Sequence, residues 1–145
     1  MLVRTLRSAI SARLAMVDID ATVRIAASAL SNPSVGLVVV CDDDLRAAGV
    51  VSKSDLVRHL ARAGSAEAAV ADLMSRDVVS CGPEDDLHAT WQLMAARGLQ
   101  NLPVLGAESR PLGVLDVRDA LKALLEQEEY QEQLLINYVA GVGYQ

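Results

Sequence analysis

Two short phrases carry the residues most suited to chemistry. "GVVSKSD" runs from Gly49 to Asp55, and sixty-four residues later "GVLDVRD" runs from Gly113 to Asp119. Each joins a glycine, two β-formers, a polar residue and an aspartate that opens a helical pattern. Gly49 allows a strand backbone to approach another group closely. Ser52 sits at the strand end, where its hydroxyl can donate or accept at a rim. The Asp55 carboxylate has two oxygens, enough to accept from the paired hydroxyls of a ribose 2′,3′-diol. Backbone N–H groups at the start of the next helix favour an anion such as phosphate. The same residues also read as an ordinary helix start, with Ser54 or Asp55 as N-cap and Ser52 as a polar strand end. In the second phrase Asp116 replaces the serine. Asp116 and Asp119 then place two carboxylates near one cleft, where they would repel a phosphate and strain each other, with Arg118 offsetting part of the charge.

The positions around these phrases show why they recur. Sliding the chain by sixty-four residues brings Ile10-Ser11 over Met74-Ser75, "ATVRIAASAL" over "DDLHATWQLM" and "VGLVVV" over "LQNLPV", an internal repeat. Each half opens with a short amphipathic piece (Leu6 and Ile10; Val70, Leu73 and Met74). A short strand follows, "RLAMV" or "DVVSC". Val23, Ala26, Ala27 and Leu30 then mark one helical stripe, and Leu87, Trp91 and Met94 another. Pro83 and the acidic run Glu84–Asp86 suit the positive end of that second helix. "VGLVVV" with "AAGVVS", and "LPVLG" with "PLGVLD", read as hairpins. Last comes a helix, with Leu56, Val57, Leu60 and Ala61 expected to face inward in one half and Ala120, Leu121, Leu124 and Leu125 in the other. Gly64 is expected to end the first of these. The pattern predicts an α/β (α+β) fold, β-α-β-β-α twice, packed about a pseudo-twofold axis. The units are residues 1–63, a small-residue linker 64–69, residues 70–126 and a C-terminal helical extension 127–145.

Bulk properties narrow the function. The chain has 145 residues, 52% hydrophobic and 22% charged, with net charge −6 and 3% aromatics. An acidic chain without a basic stripe or stacking platforms is a poor binder of nucleic acid or anionic membrane. No apolar run approaches the roughly 18 residues of a membrane span, and the N-terminus lacks a signal-peptide pattern. Cys41 and Cys81, outside any CxxC, fit a reduced cytoplasmic setting. His59 and His88 are not equivalent in the repeats and lack metal-ligand spacing, so no metal is predicted. "CDDDLR" lacks the ligand spacing of a calcium loop and reads as a solvated hairpin tip. No nucleophile–base–orienter set is visible, so the chain reads as a non-enzyme.

Taken together, "LMSRDVVSCGPEDDL", "NLPVL" and the two glycine-to-aspartate phrases, over about residues 3 to 126, resemble the CBS-domain pair, or Bateman module. The tail "LLEQEEYQEQLLINYVAG" resembles the last helix of small stand-alone bacterial members. The resemblance implies two packed repeats, often in disc-shaped homodimers, that bind AMP, ADP, ATP, NAD or S-adenosylmethionine in clefts between the repeats and act as sensors. It further implies that the strand opening a repeat supplies the adenine wall: Val78, Val79 and Ser80 in one half, and Leu14, Ala15, Met16 and Val17 in the other. Gly49, Ser52, Lys53 and Asp55 with Val78–Ser80 would form one site. Asp116, Arg118 and Asp119 with Met16 and Val17 would form the other. Asn101 and Pro103 of the "NLPVL" strand complete the expected ligand-binding set. Lys53-Ser54 and the neutral "GLQN" stand where relatives often carry charged residues. The expectation is a regulatory nucleotide-binding homodimer that signals to a separate protein. The alternative is a ligand-free dimerisation module. Leu134, Leu135 and Tyr138 in the tail read equally as a docking strip or as a solvated extension.

Overall fold

The computed structural model describes residues 1–142. After a 3-10 turn at Val3–Leu6, the elements of the first half are α1 (Arg7–Ala12), β1 (Met16–Asp18), α2 (Val23–Leu30), β2 (Leu37–Cys41), β3 (Ala47–Ser52) and α3 (Lys53–Ala61). The second half has a 3-10 turn at Val70–Asp72, then α4 (Leu87–Arg97), β4 (Asn101–Leu105), β5 (Pro111–Asp116) and α5 (Val117–Val142). In the first sheet β1 runs parallel to β2, and β2 is antiparallel to β3; β4 and β5 form an antiparallel pair. The two hairpins share their register: Val40 faces Gly49, and Val104 faces Gly113.

The expected strand at "DVVSC" does not form, and two prolines explain why. In the first half the Val39 N–H donates to the Ala15 carbonyl and the Ile19 N–H to the Cys41 carbonyl, both at 2.9 Å. The residues sixty-four positions later are Pro103 and Pro83. Neither has an N–H, so both ladder bonds are lost. What survives is one parallel bridge between Cys81 and Val104, held by Cys81 N–H to the Pro103 carbonyl at 3.0 Å and Leu105 N–H to the Cys81 carbonyl at 2.8 Å.

The helix ends follow local chemistry. Asp86 caps α4 by accepting the Ala89 N–H at 2.9 Å, and Gly98 ends it in the left-handed region at φ 65°. Gly64 does help to end α3, but the left-handed residue is Ala63, at φ 57°. Ala63 N–H returns to the Leu60 carbonyl at 3.0 Å and Gly64 N–H to the His59 carbonyl at 2.9 Å, a Schellman arrangement. Gly64 is required because the His59 ring occupies the space a Cβ would need. That ring is held by a 2.7 Å contact from Nε2 to the Ser65 carbonyl, so His59 clamps a helix end. α5 continues past residue 126 without a break; residues 143–145 of the expected extension lie outside the described residues.

Each repeat lends its lead-in to the other's core. Val3 and Ile10 are buried with Leu87, Met94, Leu102 and Leu115 of the second half. Val70 and Met74 are buried with Ala26, Leu30, Val38 and Val51 of the first. Each such side chain contributes about 1.5–3 kcal/mol of burial free energy across the seam. The two phrase glycines are where these lead-ins cross. A Cβ on Gly49 would stand 2.8 Å from the Ser75 carbonyl oxygen, and one on Gly113 would stand 2.5 Å from that of Ile10. A third cluster, Leu37, Val39, Cys41 and Val114, joins the two sheets.

The inward face expected for the last helix of each repeat is corrected. Val57 and Leu60 are 65% and 69% exposed, and Leu121 and Leu125 are 41% and 50% exposed. Only Ala120 is buried, with Leu56 and Leu124 half-buried. The sheets' inner faces are already covered by α2, α4 and the exchanged lead-ins, which leaves these apolar positions on the surface. No described helix is long and apolar enough to cross a membrane.

Candidate functional site

A cleft of about 810 Å³ lies along the seam and reaches both phrases. Of the expected site residues, Ser52, Lys53, Asp55, Val79, Asn101, Pro103, Asp116 and Arg118 line it. Gly49, Val78, Ser80, Met16, Val17 and Asp119 do not. Gly49 is buried beneath Met74. Val17 is a core residue, and Met16 is about half exposed.

At the first phrase the strand-to-helix turn sets the geometry. The Asp55 Oδ2 accepts the Ser52 N–H at 2.8 Å and the Ser52 hydroxyl at 3.1 Å, and the Asp55 N–H returns to Ser52 Oγ at 3.3 Å. This is a capping box, with Ser52 as the N-cap of α3. The cap expected at Ser54 or Asp55 therefore lies at Ser52. Among the described residues Asp55 Oδ1 meets only Arg58, an exposed partner at 3.3 Å. Asp55 thus has one oxygen tied to the fold and one facing a weakly held neighbour. Val79 lines the same cleft. The amide that would bond its carbonyl, by analogy with Val39 and Ala15, belongs to Pro103 and does not exist.

The second phrase is chemically different. Asp116 is 3% exposed. It accepts the Arg118 N–H at 2.8 Å, Arg118 Nε at 3.0 Å and Nη2 at 2.8 Å. Burial alone would push its pKa up, but these hydrogen bonds and the charges of Arg118 and Arg13 outweigh it and hold the carboxyl below the usual range. Asp119 is gripped by Arg13, at 2.6 Å from Nε and 3.3 Å from Nη2. Arg13 also donates from Nη1 to the Ser34 carbonyl at 2.9 Å, and this nitrogen lies 3.6 Å from Asp116. The expected repulsion between Asp116 and Asp119 is relieved by two guanidinium groups rather than one. The side chains lining the cleft balance: Arg13, Lys53 and Arg118 against Asp55, Asp77 and Asp116.

Sequence reasoning missed Arg13 and Asp77. A signal existed, because the sixty-four-residue shift lays Arg13 over Asp77, opposite charges at equivalent cleft positions. It also missed Gly36, where any side chain would overlap the Asn101 amide. The Asn101 Oδ1 is buried and accepts no hydrogen bond among the described residues.

Other reactive groups lie away from this cleft. Burial, with Asp85 adding to it, pushes the Cys81 thiol up to about 12, and burial raises Cys41 too. Both are inert as nucleophiles at neutral pH. Asp18, Asp20 and Asp43 bring carboxylate oxygens within 4.8 Å of one another, all on exposed residues, and one Asp18 oxygen already accepts the Asp20 N–H.

The sequence profile of the CBS domain matches residues 6–62 and again residues 70–126. A solved CBS-domain-containing protein of Agrobacterium tumefaciens is 27% identical, with a TM-score of 0.73 over 85% of this chain and 98% of its own. A CBS-domain protein of Pyrobaculum aerophilum, solved in complex with AMP, is 21% identical, with a TM-score of 0.72 over 82% of this chain and 89% of its own. An uncharacterized 17.7 kDa protein of Acidianus ambivalens is 23% identical over 86% of this chain and 75% of its own length. Two profile matches at the spacing of the internal repeat, and a shared fold over nearly whole chains, make this protein a CBS-domain pair and a member of the CBS-domain family.

Proposed function

We propose that this CBS-domain pair is a regulatory module, not a catalyst, that binds an adenosine-containing nucleotide in the seam cleft. The observation that carries the reading is that one cleft is lined by Asp55 and by Val79, whose carbonyl has a proline where its repeat counterpart has an amide donor. Adenine offers donors to a backbone carbonyl, and the ribose diol offers donors to Asp55 Oδ1. Lys53, at the first position of α3, and the N–H groups beside it suit a phosphate. The AMP complex of the Pyrobaculum protein supports the ligand class. AMP, ADP, ATP and NAD are the candidates, with S-adenosylmethionine also compatible with an adenosine site.

The module works in the cytoplasm as a homodimer through the exposed apolar faces of α3 and α5, and signals to a separate protein by a change in shape or assembly. Val57 and Leu121 are equivalent in the repeats, and both are exposed, so the two faces can pair about a twofold axis. A second reading, a ligand-free dimerisation module, is favoured by one observation: one Asp55 oxygen is already spent in the capping box.

Thermal unfolding with AMP, ADP, ATP, NAD and S-adenosylmethionine separates the two readings. A ligand at a hundred times its Kd adds about 2.7 kcal/mol. A melting temperature that no compound moves would refute the sensor and leave the scaffold.

A further inference from the structure

The repeat creates two equivalent carboxylates, yet only Asp55 lines the cleft. Arg13 lines it where Asp119 does not, and its guanidinium holds both Asp119 oxygens, at 2.6 Å from Nε and 3.3 Å from Nη2. We infer that Arg13 is a built-in occupant of the second nucleoside site, which closes that site and limits the chain to one nucleotide. The inference rests on the nucleotide reading above.

Three features hold the occupant in place. Asp119 gives a planar two-point match to the guanidinium. The Ser34 carbonyl fixes Nη1 at 2.9 Å. Asp116 adds its charge at 3.6 Å from the same nitrogen. The pair is part-buried, with side chains 21% and 25% exposed, so water screens it less than it screens surface pairs. A ribose would have to displace a charged donor from a carboxylate with two neutral hydroxyls. The opposite wall is spent as well. The Ala15 carbonyl, the counterpart of Val79, already accepts the Val39 N–H at 2.9 Å. At the Asp55 end the residue equivalent to Arg13 is Asp77, which offers no donor to Asp55. The two halves have thus diverged, one end of the seam filled by its own side chain and the other left for a ligand.

Calorimetric titration with AMP tests this on three proteins: the natural chain, Arg13→Gln, and Arg13→Gln combined with Asp119→Asn. One AMP per chain is expected for the first, two for Arg13→Gln and one for the double variant. The gained site should be about tenfold weaker, because the Ala15 carbonyl stays engaged. Two AMP per natural chain, or one per Arg13→Gln chain, would overturn the inference while leaving the nucleotide reading intact. No AMP on any of the three would overturn both. A second measurement covers the case in which Arg13→Gln does not fold. In the natural chain at saturating AMP, the Arg13 Nε–H resonance should stay unchanged while the Ser52 and Asp55 amides shift. A shift or loss of the Arg13 signal would refute the built-in occupant.

Discussion

Asp55 has two duties, and Asp55→Ala separates them. The first is structural: one carboxylate oxygen accepts the Ser52 N–H at 2.8 Å and the Ser52 hydroxyl at 3.1 Å. Losing a helix cap of this kind costs about 1 kcal/mol. The Arg58 contact adds little, because Arg58 is 62% exposed. In a chain of this size 1 kcal/mol shifts the melting temperature by roughly 2–4 °C, so the variant should melt about 3 °C lower without ligand. The second duty is binding. AMP at a hundred times its Kd raises the natural chain by about 2.7 kcal/mol, or roughly 5–10 °C. Removing the acceptor of the ribose diol costs about 3 kcal/mol of affinity, a hundredfold or more. At the same AMP concentration the variant should retain about 0.3 kcal/mol, roughly 1 °C. The assay is a pair of melting curves for each protein, with and without AMP. If Asp55→Ala loses its 3 °C but keeps the full AMP response, Asp55 is a cap alone and the binding argument fails.

Three further outcomes follow from other parts of the molecule. Pro103→Ala restores an amide that can donate to the Val79 carbonyl, so AMP should bind about tenfold more weakly with no loss of thermal stability; unchanged affinity would show that Val79 does not meet the ligand. Gly113→Ala places a Cβ 2.5 Å from the Ile10 carbonyl oxygen and should cost about 1–3 kcal/mol, seen as a lower urea midpoint at unchanged slope; a neutral result would refute the crossing of the exchanged lead-in over that strand. Asp116 has a folded pKa below its ordinary value of 3.8. Its contribution is therefore complete above that value and is lost as pH falls through the lower folded one. The melting-temperature gap between the natural chain and Asp116→Asn should be widest at neutral pH and shrink below about pH 4; a gap independent of pH would contradict the pairing with Arg118 and Arg13.

Much of the architecture was legible because it is written twice. Val23, Ala26 and Leu30, or Leu87 and Met94, declare a buried helical stripe by spacing alone, and the hairpins follow from their turn residues. The missing second-half strand was legible too, since Pro83 and Pro103 stand in the sequence, but only if ladder bonds are counted residue by residue. The outward faces of α3 and α5 were not legible. An apolar stripe says that something covers it, not whether the cover is this chain or another. Nor were the exchanged lead-ins, because Ile10 and Met74 look the same whichever core they enter. At the site, residue types singled out Ser52 and Asp55, which both line the cleft, but not the capping box that joins them, and the sequence could not tell how Asp119 is occupied. That depends on Arg13, more than a hundred residues away, and only the fold brings the two together.

The central claim is that the seam cleft takes adenosine between Asp55 and Val79. A crystal structure of the protein grown with AMP tests it most directly. The account predicts ribose hydroxyls within hydrogen-bond distance of Asp55 Oδ1 and the adenine edge against the Val79 carbonyl, with Arg13 still on Asp119. Nucleotide bound elsewhere, or a cleft without nucleotide at saturating AMP, would contradict it.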